Sequence, residues 1–249
     1  MTLNEIPPKK RKAILVISPH ELTRLEFTTG GNDLLLSEQI YLLDSSGEVT
    51  SSLEKKLDDS GLLEPGNLLI QNPYDTSDYV ILDKASSTFA LTKYLHFTTL
   101  CGLLGAREVI VEQIEVKTLT GRQVFKGSLN NPFTEGKMEG VNTTFEEIRN
   151  NIKLQSKFGG GEPNIEEADD HLRQYQLSND ISMKSLIDQR KGTNPIKSRE
   201  LILSLSEESK KNLKAITDIK VPVYANLQAQ LEQIKKEVYE FTLSVKVEF

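Results

Sequence analysis

The chain has 249 residues, of which 37% are hydrophobic and 27% charged, the balance of a folded globular protein and not of a disordered one. Its 30 basic and 36 acidic side chains leave a net charge of -6, which disfavours nucleic acid or anionic lipid as the main electrostatic partner. Cys101 is the single cysteine, so no disulfide closes within the chain, and no apolar run approaches the ~20 residues of a membrane helix.

The opening residues, Met1 to Pro8, lack the basic-then-apolar order of a signal peptide. With the lone cysteine, this leads us to expect a reducing, cytoplasmic location. Lys9-Lys10-Arg11-Lys12 follows Pro7-Pro8 and has the form of a nuclear import signal. A solvated basic flank on the next strand is the favoured reading, since so short a basic run is weak evidence for a signal. That strand is Ala13 to Ile17, a short apolar run. Leu22 to Thr28 and Gln39 to Asp44 read as strands around the turn clusters Gly30 to Asp33 and Ser45 to Glu48. Ser51 to Asp59 carries Leu53 and Leu57 at helical spacing, with Ser51 or Ser52 as the N-cap. Pro65-Gly66 predicts a turn before Asn67 to Ile70.

Ser86-Ser87 opens a helix that is apolar nearly all round, with Phe89, Leu91, Tyr94, Leu95, Phe97, Leu100, Leu103 and Leu104. Gly105 marks its left-handed end. Glu108 to Val116 is dense in β-branched residues and reads as a strand, returning after Thr120-Gly121 as a hairpin over Arg122 to Ser128. Asn130 to Thr143 reads as a loop. Ile148 to Phe158 alternates as a strand would, and Gly159 to Gly161 ends it.

Asn164 to Tyr175 predicts an acidic helix capped by Asn164, and Ser182 to Gln189 a second helix. Arg199 to Ser206 predicts a long strand. Asn212 to Thr217 is ambiguous, and Ala225 to Val238 fits either strand or helix, its Ala, Gln, Leu, Glu and Lys content favouring helix. Tyr239 to Phe249 alternates throughout, with Phe241, Leu243, Val245, Val247 and Phe249 on one side. A period of two over that length means a strand with one buried face.

The expected fold class is α+β: a mostly antiparallel sheet of long amphipathic strands, one buried helix, and an inserted acidic helical pair. We place this sheet domain at residues 86–249. Residues 1–85 form an N-terminal α/β portion, either separate or part of the same core.

Chemistry is sparse. Glu115-Val116-Lys117 has the acid-x-lysine form in which a carboxylate holds Mg²⁺ and a lysine aids the attacking water. Any strand with a charged face produces it, and the usual companion aspartate is missing, since Asp83 precedes the helix instead. Gly159-Gly-Gly-Glu-Pro163 lacks the Lys-Ser/Thr of a phosphate loop. Glu166, Glu167, Asp169 and Asp170 suit a helix N-terminus without any ligand. His20, His96 and His171 fall on unrelated segments, and His96 and Cys101 read as core residues. No cofactor or metal is called for.

The function expected on these grounds is non-enzymatic: a soluble protein that binds another protein or assembles with itself. The alternative is a triggered membrane-perforating protein whose amphipathic segments become barrel strands of ~9–11 residues. Its insert is poorly suited to lipid, because Ile165 to Ser178 is highly charged. A Mg-dependent nuclease using Glu115 and Lys117 stands third.

Overall fold

The computed structural model of the chain describes residues 10–47, 49, 51–118, 121–126, 150–152, 155–217, 224, 227–229, 231 and 240–249. Two units emerge, one comprising Met1–Ala85 with Glu208–Val238, the other Ser86–Glu207 with Tyr239–Phe249. The fold is α+β, with antiparallel pairing dominant in the sheets.

The first unit is built on a four-stranded sheet of order β2-β1-β3-β4. Its strands are β1 (Ala13–Ile17), β2 (Ile40–Asp44), β3 (Leu68–Gln71) and β4 (Tyr79–Ile81). β1 runs parallel to β2 and antiparallel to β3. A parallel pair needs a crossover connection, and here it consists of α1 (Pro19–Leu25) and α2 (Gly31–Leu35). The strand expected at 22–28 is therefore mostly helix. Its signal is local: the Ser18 hydroxyl accepts the Glu21 N–H and Pro19 opens the first turn, while Leu25 is the buried residue of α1. Too little of α1 is buried for its period to show. At the start of α2, a Cβ on Gly31 would lie 1.9 Å from the Leu25 carbonyl oxygen, so the corner admits only glycine.

α3 (Ser52–Asp59) starts where the sequence places it. Ser51 and Glu54 exchange hydrogen bonds in a capping box, and Leu53 and Leu57 pack against Ile14, Val16, Leu43, Leu69 and Tyr79. Ala13, Leu15 and Ile17, on the opposite face of β1, are also fully buried. Coverage on both faces explains why β1 reads as a continuous apolar run instead of an alternating one.

The second unit begins with α4 (Ala85–Leu103), whose Phe89, Ala90, Tyr94, Phe97, Leu100 and Cys101 are buried, as is Leu104 just beyond its end. Its end is a Schellman turn: Ala106 N–H donates to the Cys101 carbonyl and Gly105 N–H to the Gly102 carbonyl, with Gly105 at φ +76°. The sheet has the order β6-β5-β9-β8, with β7 also on β5. The strands are β5 (Glu108–Thr118), β6 (Gly121–Lys126), β7 (Gln155–Lys157), β8 (Ser198–Ser204) and β9 (Glu240–Glu248). All their pairings are antiparallel. On β9, Phe241, Leu243, Val245 and Val247 are buried, as the alternation predicts. A bulge between Val111 and Gln113 shifts the register of β5. It lets Val109, Val111 and Ile114 all be buried despite breaking strict alternation.

The strand expected over 148–158 is corrected. Asn150 and Asn151 are helical, residues 153–154 lie outside the described set, and only Gln155–Lys157 pairs with β5. β6 already occupies that edge of β5 from Gln113 onward, which leaves Glu108–Ile110 for β7. The expected loop at 130–143 lies outside the described residues.

Between β7 and β8 the chain forms α5 (Ile165–Gln174) and α6 (Ile181–Arg190), capped by Asn164 and Asp180. Buried Arg190 donates to the Leu104 carbonyl at 3.0 Å and the Ile196 carbonyl at 2.8 Å, and lies over the Phe249 ring. That guanidinium joins α6, the end of α4 and the C-terminal residue.

α7 (Glu207–Thr217) makes the ambiguous stretch at 212–217 the end of a helix that begins five residues earlier. It is anchored within the first unit: Asn212 Nδ2 donates to the Gln71 carbonyl at 3.2 Å, and the Tyr74 hydroxyl to Glu208 at 3.4 Å. The Tyr224 hydroxyl donates to the Glu21 carboxylate in the same unit. Leu227–Ala229 and Leu231 are helical, the favoured of the two readings for that segment. Among the described residues, no helix is long and apolar enough to cross a membrane.

Candidate functional site

The β5 register sets Glu115 opposite Val124 on β6 and Thr242 on β9, and Lys117 opposite Arg122 and Glu240. Neither direct neighbour of Glu115 is acidic. Among the described residues, no group of three or more His, Cys, Asp or Glu side chains is placed to hold a metal ion. The two residues lie two apart on one strand, and the carboxylate that the ladder brings to their face is Glu240, directly opposite Lys117 and diagonal to Glu115.

The structure brings together two histidines that the sequence reading kept apart. His96 on α4 stacks on Tyr175 with ring centroids 4.0 Å apart, and His171 on α5 meets His96 edge-on at 5.2 Å. His171 and Tyr175 are one helical turn apart and 4.8 Å between centroids. That i, i+4 spacing was the one sequence signal for the cluster, and it leaves the partner helix unspecified. Burial lowers the His96 pKa to about 4, assisted by the nearby His171 charge. Burial also lowers that of His171, against the opposing effects of the His96 backbone and the Glu167 carboxylate.

One turn before His96, Lys93 is fully buried with its Nζ 2.8 Å from Asp180 Oδ2. The other Asp180 oxygen accepts the Met183 N–H at the start of α6. Cys101, also on α4, is fully buried, and burial pushes its thiol up, away from the reactive thiolate. Lys93 and Asp180 satisfy each other and the histidine–tyrosine rings pack together, joining three helices, although His171 Nε2 is buried without a hydrogen-bond partner. They expose no nucleophile, and we read them as structural.

The acidic residues of α5 are also engaged locally. Glu167 bonds Asn164, Asp170 pairs with Arg173, and Asp169 pairs with Lys191.

A different surface lies where α6 runs beside β8, the outer strand of its sheet. Ser182 Oγ donates to the Ile202 carbonyl at 3.0 Å, and Arg199 Nη1 bonds Ser185 Oγ and Gln189 Oε1, each at 2.7 Å. Met183, Leu186 and Ile187 are buried behind this helix. On the outside stand Ile181, 85% exposed, and Ile202, 66% exposed, with exposed Glu200 next along the same face of β8. Ile202 alternates with buried Leu203 along β8, and the fold sets the hydroxyl of Ser182, next in sequence to Ile181, on the Ile202 carbonyl. No family model matches this chain, and neither does any curated protein or solved structure. The β8–α6 surface is the site that geometry favours: a strand edge partly capped by one serine, flanked by two water-exposed isoleucines.

Proposed function

We propose that this protein binds another protein, in a non-enzymatic role and in the cytoplasm, through the β8–α6 surface. The observation that carries the reading is the exposure of Ile202 on the outer strand β8 and of Ile181, whose neighbour Ser182 bonds the Ile202 carbonyl. Removing an isoleucine side chain from water is worth about 1.5–3 kcal/mol, so a partner that covers both gains appreciable affinity. Outer strands are also the surfaces that proteins most often have to protect or use. The Ser182 hydroxyl on the Ile202 carbonyl caps the strand at its middle, which favours side-chain contact over continuous strand addition. Exposed Glu200 lies opposite Lys246 in the ladder, so the margin offers both signs of charge to a partner that is apolar at its centre.

The test compares wild type with an Ile181→Glu/Ile202→Lys double variant. Both are used as bait in native lysate, and both are run by sedimentation velocity over a range of concentrations. A stoichiometric partner, or a self-association, present with wild type and lost with the variant is the expected result. Identical behaviour of the two proteins would sink the proposal.

A further inference from the structure

His96 and His171 meet where α5 lies on α4, in a setting that suits their neutral forms. The two rings are 5.2 Å apart between centroids, and Tyr175 closes the triangle at 4.0 Å from His96 and 4.8 Å from His171. The His171 ring is hydrogen-bonded to the His96 backbone, while its Nε2 is buried without a partner. In a neutral imidazole one nitrogen donates and the other is a bare acceptor. A proton added at Nε2 becomes a buried donor with nothing to receive it, and it brings a full charge. Protonating both rings also sets two like charges side by side.

The charged groups around the pair are largely engaged elsewhere. On α4, Lys93 lies one turn before His96 and is bonded to Asp180, the N-cap of α6. On α5, Glu167 lies one turn before His171 and also bonds Asn164. Its charge favours a proton on His171, but burial of that ring outweighs it. Asp170 is paired with Arg173, and Asp169 with Lys191 at the end of α6. At His96, burial acts together with the His171 charge and brings the pKa down to about 4.

Of the two helices, α5 is the one built to give way. α4 is fixed by its row of buried residues from Phe89 to Cys101, whereas α5 buries only Ala168 and Leu172. Gly159 to Gly161 precede α5, with open space around Gly159. Gln176, just beyond it, has φ +58°, a left-handed conformation that disfavours a residue with a Cβ. Release of the helix relaxes that strain. We propose that the His96–His171 contact is an acid-released latch: on acidification α5 lifts away from α4 while the sheet of the second unit stays folded. Between the ordinary histidine value of 6.5 and about 4, the open form binds protons that the closed form refuses. Opening therefore grows as pH falls through that window and levels off below it. The inference does not rest on the β8–α6 surface.

The experiment is amide hydrogen exchange of the full chain at pH 7 and pH 5, with labelling times scaled to the intrinsic exchange rates. In peptides covering Ile165–Gln174, opening is expected to increase about tenfold at pH 5, while β5 and β9 keep their protection. His96→Gln and His171→Gln, whose new side chains do not titrate, are each expected to remove most of that increase. Unchanged protection of α5 between the two pH values would overturn the proposal. So would equal loss in β5 and β9, which means global unfolding, or an undiminished response in both variants. A proton NMR titration of the wild-type histidine rings needs no variant: His96 and His171 signals that titrate near 6.5 while α5 stays protected would also sink the latch.

Discussion

In the second unit the buried ammonium of Lys93 meets a buried carboxylate at 2.8 Å, whereas in the first unit Nε and Nη1 of the comparably buried Arg11 have no hydrogen-bond partner among the described residues. The sheets differ as well. The first is short-stranded, includes a parallel pair, and is covered on both faces of β1. The second is fully antiparallel, and its β9 buries every other residue. A buried pair is completed within the fold and belongs to its stability. A buried cation without such a partner carries a desolvation cost that the fold does not offset.

The largest expected effect tests that contrast directly. Lys93→Met leaves Asp180 buried and uncompensated, and should cost about 3–5 kcal/mol in urea unfolding. Adding Asp180→Asn, which keeps an N-cap oxygen for Met183, should recover most of the loss. Arg11→Met should cost nothing by the same measurement. Equal losses in the two single variants would erase the distinction between the units.

Glycines sharpen it next. Gly105 has φ +76°, and a Cβ there would sit 2.1 Å from the Gly161 carbonyl oxygen. Gly105→Ala should therefore cost about 2 kcal/mol or more, combining left-handed strain with a backbone clash. Gly61 in the first unit has φ +67° and open space around it. Gly61→Ala should cost only the strain, about 1 kcal/mol. Thermal melts of both variants decide whether close approach, and not φ alone, is what the second unit requires.

A smaller effect is pH-dependent. The folded state holds His96 near a pKa of about 4, below the usual value of 6.5. Between those values the unfolded chain binds a proton that the folded chain refuses, so stability falls as pH is lowered through the window. Below about 4 the folded ring is protonated too, and this contribution declines no further. Because the ring is half-buried and screened, the loss should be on the order of 1 kcal/mol. Urea melts at successive pH values should show a shallower decline for His96→Gln than for wild type. Parallel curves would remove His96 as the source.

The smallest effect on folding is expected at the proposed contact surface. Ile202→Lys should change stability by no more than about 0.5 kcal/mol, since the side chain already faces water. A large destabilisation would mean that Ile202 is held by the fold and is not presented to a partner.

The long strands of the second unit were legible because one face is buried and the other is not, which writes a period of two into the residues. α3 and the end of α4 were legible through capping chemistry at Ser51 and Gly105. α1 was misread, because Leu22 to Thr28 shows apolar and polar residues in a strand-like order while burying only Leu25. The bulge in β5 was hidden for the opposite reason. It exists to keep Ile114 buried beyond the point where alternation fails, and its partner strand lies more than a hundred residues away.

What the residues determine on their own is local: caps, turns, the period of a half-buried strand, and the sum of charge. Which buried charges find one another is decided elsewhere. Lys93 and Asp180 are separated by most of the second unit, and His96 and His171 lie on different helices. Nothing near Arg11 in the chain foretells that it ends up enclosed. Such pairings, and such failures to pair, depend on distances through space, and those exist only once the sheets and helices have packed.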